Sequence, residues 1–215
     1  LPAWVARDRV AGARAAHGAG VRVLLLDDGF QDPALAKDLS LLAVDGGFGF
    51  GNGRVVPAGP LREPLAGGLA RAQGAVLIGE DRCGVVAQLS GRLPPLRARL
   101  EPPPAAAAAF EGKKVFAFAG IGRPEKFFET LRALGAELAA TRDFPDHHPY
   151  GEAELDALAA EAERLGALAV TTEKDLARIP SARRGAFGVL PVSLVFEEPQ
   201  ALHALLAPLL ATARS

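Results

Sequence analysis

Val21-Arg22-Val23-Leu24-Leu25-Leu26-Asp27-Asp28-Gly29-Phe30-Gln31-Asp32 is an apolar run of strand length that stops at two adjacent carboxylates and a glycine. A buried parallel strand reads this way, and its carboxyl edge is where an open α/β sheet binds ligands. Neighbouring carboxylates repel unless a cation or a proton is shared between them, so Asp27 and Asp28 ask for Mg²⁺ or a general-base role. In the other reading Asp27 caps the next turn and Asp28 is simply solvated.

Working outward, residues 4–19 read as a helix with Val5, Val10, Ala13 and Ala16 on one side, stopped by Gly18 and Gly20. Downstream, a helical turn at Leu35–Asp38 leads to a second apolar run, Leu39–Val44, that also ends in acid, Asp45. Two strands finishing in carboxylates predict a parallel sheet with its working edge on one side.

Bulk composition narrows the classes. The 215 residues can bury a proper core, and 24 basic against 25 acidic residues give no global field that recommends nucleic acid. The single Cys83 excludes an internal disulfide framework and fits a reducing compartment. No apolar run approaches the roughly 18 residues of a membrane span, which leaves peripheral association open. There is no methionine and the chain opens Leu1-Pro2, so it is expected to lack its native N-terminus.

Residues 46–64 form a long glycine-rich stretch that carries Phe48, Phe50, Asn52, Arg54, Arg62 and Glu63. Its glycines let backbone amides approach a ligand, and the two arginines are suited to phosphate or carboxylate. A hairpin turning at Asn52-Gly53 is the alternative for its first half. A short helix at Leu65–Ala72 and a third strand at Ala75–Ile78 follow. The prolines around Leu96-Arg97-Ala98-Arg99-Leu100 make that piece an edge strand or an interdomain ribbon. The predicted organisation is thus a first domain over 1–101, a Pro/Ala-rich linker over 102–110 and an α/β domain over 111–215.

The second half repeats the layout. Lys114–Ala119 is a strand, Gly120-Ile121-Gly122 a tight turn, and Pro124 opens a helix with Phe127, Phe128, Leu131 and Leu134 on its apolar face. After a strand at Glu137–Thr141 comes Arg142-Asp143-Phe144-Pro145-Asp146-His147-His148-Pro149-Tyr150, crowded with polar groups. Adjacent histidines rarely chelate one ion, which argues against zinc; a catalytic histidine oriented by a carboxylate fits, as does a helix entry capped by Asp146. Gly151–Gly166 reads as an amphipathic helix, Ala167–Thr172 as a strand ending in Glu173-Lys174-Asp175, Val189–Val195 as the last strand and Pro199–Ala211 as the terminal helix.

Together, Asp27-Asp28-Gly29-Phe30-Gln31, Gly49-Phe50-Gly51-Asn52-Gly53, Pro57 to Pro64, Ala119-Gly120-Ile121-Gly122, Phe144 to His148 with Tyr150, and Thr172-Glu173-Lys174-Asp175 resemble tetraacyldisaccharide 4′-kinase, in order and along the whole chain. The resemblance implies an α/β fold with an incomplete parallel-sheet, P-loop-NTPase-like core and a second, smaller α/β domain. It also implies ATP- and Mg²⁺-dependent phosphorylation of the 4′-hydroxyl of a lipid disaccharide 1-phosphate in lipid A biosynthesis, peripherally at the cytoplasmic face of the bacterial inner membrane. It places Asp27 and Asp28 at the metal, Asp28, His147 and His148 in catalysis, Asp27, Gln31, Glu173 and Lys174 near the nucleotide, and Asn52, Arg54, Arg62 and Glu63 at the substrate.

Two departures stand out. The family's Gly-x-x-x-x-Gly-Lys-[Ser/Thr] loop does not occur in these residues, so the chain alone is expected to lack kinase activity. Asp32 stands where the family usually has histidine. The competing expectations are a non-catalytic remnant that binds nucleotide, lipid or partner, and a related kinase of a soluble acceptor.

Overall fold

The computed structural model describes residues 2–214. In chain order its elements are α1 (Arg9–Gly18), β1 (Leu41–Asp45), α2 (Leu65–Arg71), β2 (Gly74–Ile78), α3 (Val85–Leu89), β3 (Pro95–Glu101), α4 (Pro104–Phe110), β4 (Lys114–Ala119), α5 (Pro124–Ala133), β5 (Glu137–Asp143), α6 (Glu152–Leu165), β6 (Leu168–Thr172), α7 (Glu173–Arg178), a 3₁₀ segment at Ser181–Ala186, β7 (Gly188–Leu190), β8 (Ser193–Phe196) and α8 (Pro199–Arg214). They form two compact units, one running up to Leu100 and resuming at Leu194, the other Glu101–Ser193. The C-terminal residues therefore belong with the first unit, not with the second as the sequence suggests. The expected linker is also partly helical: α4 starts on Pro104 at its first position, continues through alanines with high helix propensity, and buries Phe110 in the second unit's core.

The first unit holds a four-stranded sheet in the order β1-β2-β3-β8, with β1 parallel to β2 and β2 parallel to β3. Strand β2 is apolar throughout because both its faces are covered. Ala75 and Leu77 pack with Val44, Leu69, Val85 and Leu89, whereas Val76 packs with Leu96 and Ala98 on the other face. Strand β3 is internal, between β2 and β8, rather than an edge. Its alternation of buried Leu96 and Ala98 with exposed Arg97 and Arg99 records one covered face.

The opening stretch departs most from expectation. Val21–Leu26 is in no strand, and Val23, Leu24, Leu25 and Leu26 are all exposed. A strand is stable only with a laddered neighbour, and no strand pairs with this run among the described residues. Its ends are tied otherwise. Val21 N–H donates to Ala16 O at the end of α1, and Arg9 donates to the carbonyls of Asp27 and Asp28 at 3.4 and 3.3 Å. Helix α1 begins later than the periodicity suggests because Asp8 caps it, accepting from the amides of Val10 and Ala11. Leu35–Asp38 is bend and irregular backbone rather than helix. No hairpin forms at Asn52-Gly53; the loop closes instead through Val56 N–H to Leu61 O and Leu61 N–H to Arg54 O.

The second unit is an all-parallel sheet in the order β5-β4-β6-β7. Strand β4 sends Val115, Ala117 and Ala119 to a core shared with Phe127, Phe128 and Leu131, and Phe116 and Phe118 to one shared with Leu155, Leu158, Ile179 and Phe187. Each fully buried Phe or Leu contributes about 1.5–3 kcal/mol by removal from water. The run expected as one strand at Val189–Val195 is split at Pro191, which has no N–H for a ladder; β7 joins this sheet and β8 the other. The chain leaves β4 for β5 on one side and β6 for β7 on the other. The carboxyl ends of β4 and β6 therefore flank a topological switch point.

Candidate functional site

The residues singled out from sequence fall into two groups, one in each unit. In the first unit the turn after Leu26 sets Asp28 in the left-handed region, φ 47°, which an aspartate tolerates better than most residues. From there its carboxylate receives Arg62 Nη1 at 3.0 and 2.9 Å. The same nitrogen donates to Gln31 Oε1 at 3.3 Å, and Gln31 Nε2 donates to Glu63 Oε1 at 3.2 Å. Arg71 completes the chain. It is ion-paired with Glu63, donates to Phe30 O at 3.4 Å and lies 4.5 Å over the Phe30 ring.

This network joins Asp28, Gln31, Arg62 and Glu63, and it adds Arg71, which sequence reasoning passed over. The Arg71 hydrogen bond, reinforced by Gln31, holds the Glu63 carboxyl below the usual carboxylate range. Glu63 is therefore already engaged and positions Gln31. Asp27 is exposed, and its carboxylate has no hydrogen-bond or ion-pair partner among the described residues. Asp32, where the family usually has histidine, caps Ala34 N–H at 2.8 Å and pairs with Arg9 at 3.1 Å, and both contacts hold its carboxyl low.

Asn52 and Arg54 do not join this network. Asn52 spends its amide on the loop itself, donating to Ala58 O at 2.8 Å and accepting from Arg54 N–H at 3.1 Å, while Arg54 is exposed. Gly59 fits beside them only because it has no side chain: a Cβ there would lie 2.1 Å from Asn52 Oδ1. No group of three or more His, Cys, Asp or Glu poised around a metal exists among the described residues. Asp27 and Asp28 nonetheless supply the hard oxygens that Mg²⁺ takes, since Mg²⁺ keeps several waters and needs only one or two carboxylates besides phosphate.

In the second unit the switch point is filled by a buried carboxylate, Asp175. Its Oδ1 accepts from Gly120 N–H at 3.1 Å, Tyr150 O–H at 3.1 Å and Arg178 Nη1 at 3.0 Å, and its Oδ2 accepts from Thr172 Oγ1 at 2.7 Å. Four donors, the Arg178 cation among them, meet the desolvation cost of a buried charge. A Cβ on Gly120 would approach His148 Cβ and the Tyr150 hydroxyl at 3.1 Å, so glycine allows the close packing. Burial, then the Asp175 carboxylate, pushes the Tyr150 phenol above the ordinary tyrosine range and keeps it a neutral donor.

The two histidines sit on this foundation but are held differently. His148 Nε2 donates to Glu154 Oε2 at 2.7 Å, and its ring stacks on Phe144 at 4.6 Å. His147 has φ 63° and receives Arg178 Nη2 on Nδ1 at 3.1 Å. Glu173 accepts from Val192 N–H at 3.2 Å and so fastens the β7–β8 connection, while Lys174 is exposed on α7. In this structure Asp175 and Arg178 of that segment, rather than Glu173 and Lys174, reach the histidine loop. The signal for Asp175 was Thr172-x-x-Asp175 at capping spacing just beyond a strand, whereas Arg178 carried none.

Comparison with known proteins agrees with this architecture. The chain is 65% identical over 209 residues to tetraacyldisaccharide 4′-kinase of Rhodospirillum centenum, covering 97% of this chain and 62% of that protein. The Rhodospirillum rubrum protein of the same name is 53% identical over 209 residues, with 95% and 63% covered. The crystal structure of the "apo" form of LpxK from Aquifex aeolicus in complex with ATP superposes with a TM-score of 0.65 at 26% identity, covering 92% of this chain and 61% of that one. The chain thus spans somewhat under two thirds of these relatives. A family model for LpxK, tetraacyldisaccharide-1-P 4′-kinase, matches residues 1–211, and the chain belongs to that family.

Proposed function

We propose that these residues are the larger part of an ATP-dependent kinase that phosphorylates the 4′-hydroxyl of a tetraacyl glucosamine disaccharide 1-phosphate. The observation that carries the reading is the family match along residues 1–211, in a chain whose first unit presents paired acids beside an arginine. Mg²⁺, when bound, supplies charge neutralisation of the transferring phosphoryl group. Asp27 and Asp28 are the residues to hold it, Asp28 doing so when Arg62 turns to a substrate anion. Arg62 is suited to that anion because its guanidinium is planar and permanently charged. The His147–His148 loop serves the acceptor hydroxyl and its proton.

The triphosphate-cradling loop does not occur in these residues, so the chain by itself does not transfer phosphate. With a lipid as acceptor, the proposed location is peripheral, at the cytoplasmic face of the inner membrane. No helix among the described residues is long and apolar enough to cross a membrane. A hybrid tests the reading: the part of the Rhodospirillum centenum kinase that this chain does not match, joined to this chain. ATP-dependent 4′-phosphorylation of the lipid disaccharide by the hybrid supports it. A folded hybrid that ignores the lipid but phosphorylates a soluble acceptor, or that binds ATP without transfer, contradicts it.

A further inference from the structure

Two adjacent histidines occupy the loop before α6, and the structure treats them as different tools. His148 is fastened on every side. Its side chain is 22% exposed, its Nε2 is committed to Glu154, and its ring stacks on Phe144 while meeting Tyr150, which also packs against Phe144, at a near-right angle. Such a ring anchors a loop. His147 is 81% exposed, yet it is pinned at two points. Its backbone adopts a left-handed conformation, φ 63°, and its N–H donates to Gly120 O at 3.2 Å and Asp146 Oδ1 at 3.0 Å. An unfavourable backbone persists only where surrounding contacts over-determine it.

The second pin is chemical. Arg178 Nη1 bridges Asp175 Oδ1 and Gly120 O, at 3.0 and 2.8 Å, which leaves Nη2 aimed at His147 Nδ1 at 3.1 Å. A guanidinium can only donate, so Nδ1 must present its lone pair and the ring proton must reside on Nε2. The nearest acid to that nitrogen is Asp146, 3.8 Å away and beyond hydrogen-bond distance.

We infer that Arg178, braced by buried Asp175, is a positioning residue that presents His147 as a fixed Nε2–H donor to an anionic oxygen of phosphate or carboxylate type, with His148 as the loop's anchor. The inference rests on the kinase reading for what the donor meets, but the wiring is testable without catalysis. Asp175 sets the guanidinium, and the guanidinium sets the ring.

The test is nitrogen NMR of the histidine rings in this 215-residue chain, with exposed His17 and His203 as internal references. In the parent chain His147 shows an unprotonated, hydrogen-bonded Nδ1 and a ring as ordered as that of His148. Arg178→Gln moves His147 to the shifts and mobility of His17 and His203 and leaves His148 unchanged, whereas Glu154→Gln moves His148 alone. A His147 ring already as mobile as His17 in the parent, or one unaltered by Arg178→Gln, overturns the inference. Should Arg178→Gln unfold the unit, Arg178→Lys is read instead. A single ammonium keeps the Asp175 pair but releases His147, and a retained His147 signature there overturns the inference equally. None of these readings involves phosphoryl transfer, so their failure is distinguishable from failure of the kinase assay.

Discussion

Arg62 Nη1 spans both carboxylate oxygens of Asp28, at 3.0 and 2.9 Å, with the two side chains 63% and 65% exposed. A pair this wet contributes about 0–1 kcal/mol to stability. Its consequence is competition, because an oxygen that accepts from a guanidinium is a poorer ligand for a cation. Arg62→Ala is expected to leave unfolding by urea within about 0.5 kcal/mol of the parent. In a Mn²⁺ titration followed by NMR, the amides of Asp27 and Asp28 should broaden at lower metal concentration in the variant. Equal broadening in both proteins would show that Arg62 does not compete.

Tyr150 is the chain's one tyrosine, so tyrosinate absorbance reports on it alone. Burial and Asp175 raise its folded-state pKa above the unfolded value of about 10. Its contribution to stability is therefore complete below pH ~10 and declines as the unfolded state ionises above it. An alkaline titration should show no tyrosinate until the second unit unfolds, and the two signals should move together. Tyr150→Phe should cost about 1–2 kcal/mol through the hydrogen bond lost to a charged, buried acceptor.

Glu63 gives the opposite sign. Its carboxyl is held low chiefly by Arg71, so the associated stabilisation is present above the unfolded pKa and disappears as pH falls through the folded one. Carboxyl carbon NMR should find Glu63 ionised below the ordinary glutamate range, and Arg71→Gln should return it towards about 4.3. An unchanged Glu63 titration in Arg71→Gln would remove Arg71 as the cause.

Phe118 is wholly buried and meets Tyr150 and Phe187 edge-on at 5.7 and 5.3 Å. Phe118→Ala is expected to lose about 3–5 kcal/mol, the range for a large aromatic removed from a core. Hydrogen exchange should localise the loss to Glu101–Ser193, including faster exchange at Gly120 and His147. Uniform acceleration across both units would contradict their independence as cores.

Much of the second unit could be read from sequence because its signals are local. Lys114–Ala119 is an apolar run before a glycine turn, and α6 ends where Gly166 takes φ 60°. Val21–Leu26 misled for a physical reason: an apolar run encodes a preference for burial but not the neighbour that provides the ladder. The Asp28–Arg62 contact links residues 34 positions apart, and Tyr150–Asp175 links residues 25 apart. Neither spacing has a periodicity to reveal it. The Asp146–Tyr150 loop stood out as a crowd of polar groups, but the different fastening of its two histidines depends on Glu154 and Arg178, which look like ordinary solvated helix charges until the fold is known.

The most direct test of the account is the turnover of the Rhodospirillum centenum hybrid with ATP and lipid disaccharide, measured for the parent and for Asp28→Asn. Removing a carboxylate that serves transition-state charge predicts a fall in kcat of about 10²-fold or more with the fold and ATP binding retained. Near-parental kcat in Asp28→Asn would contradict the assignment of the acidic turn to phosphoryl transfer.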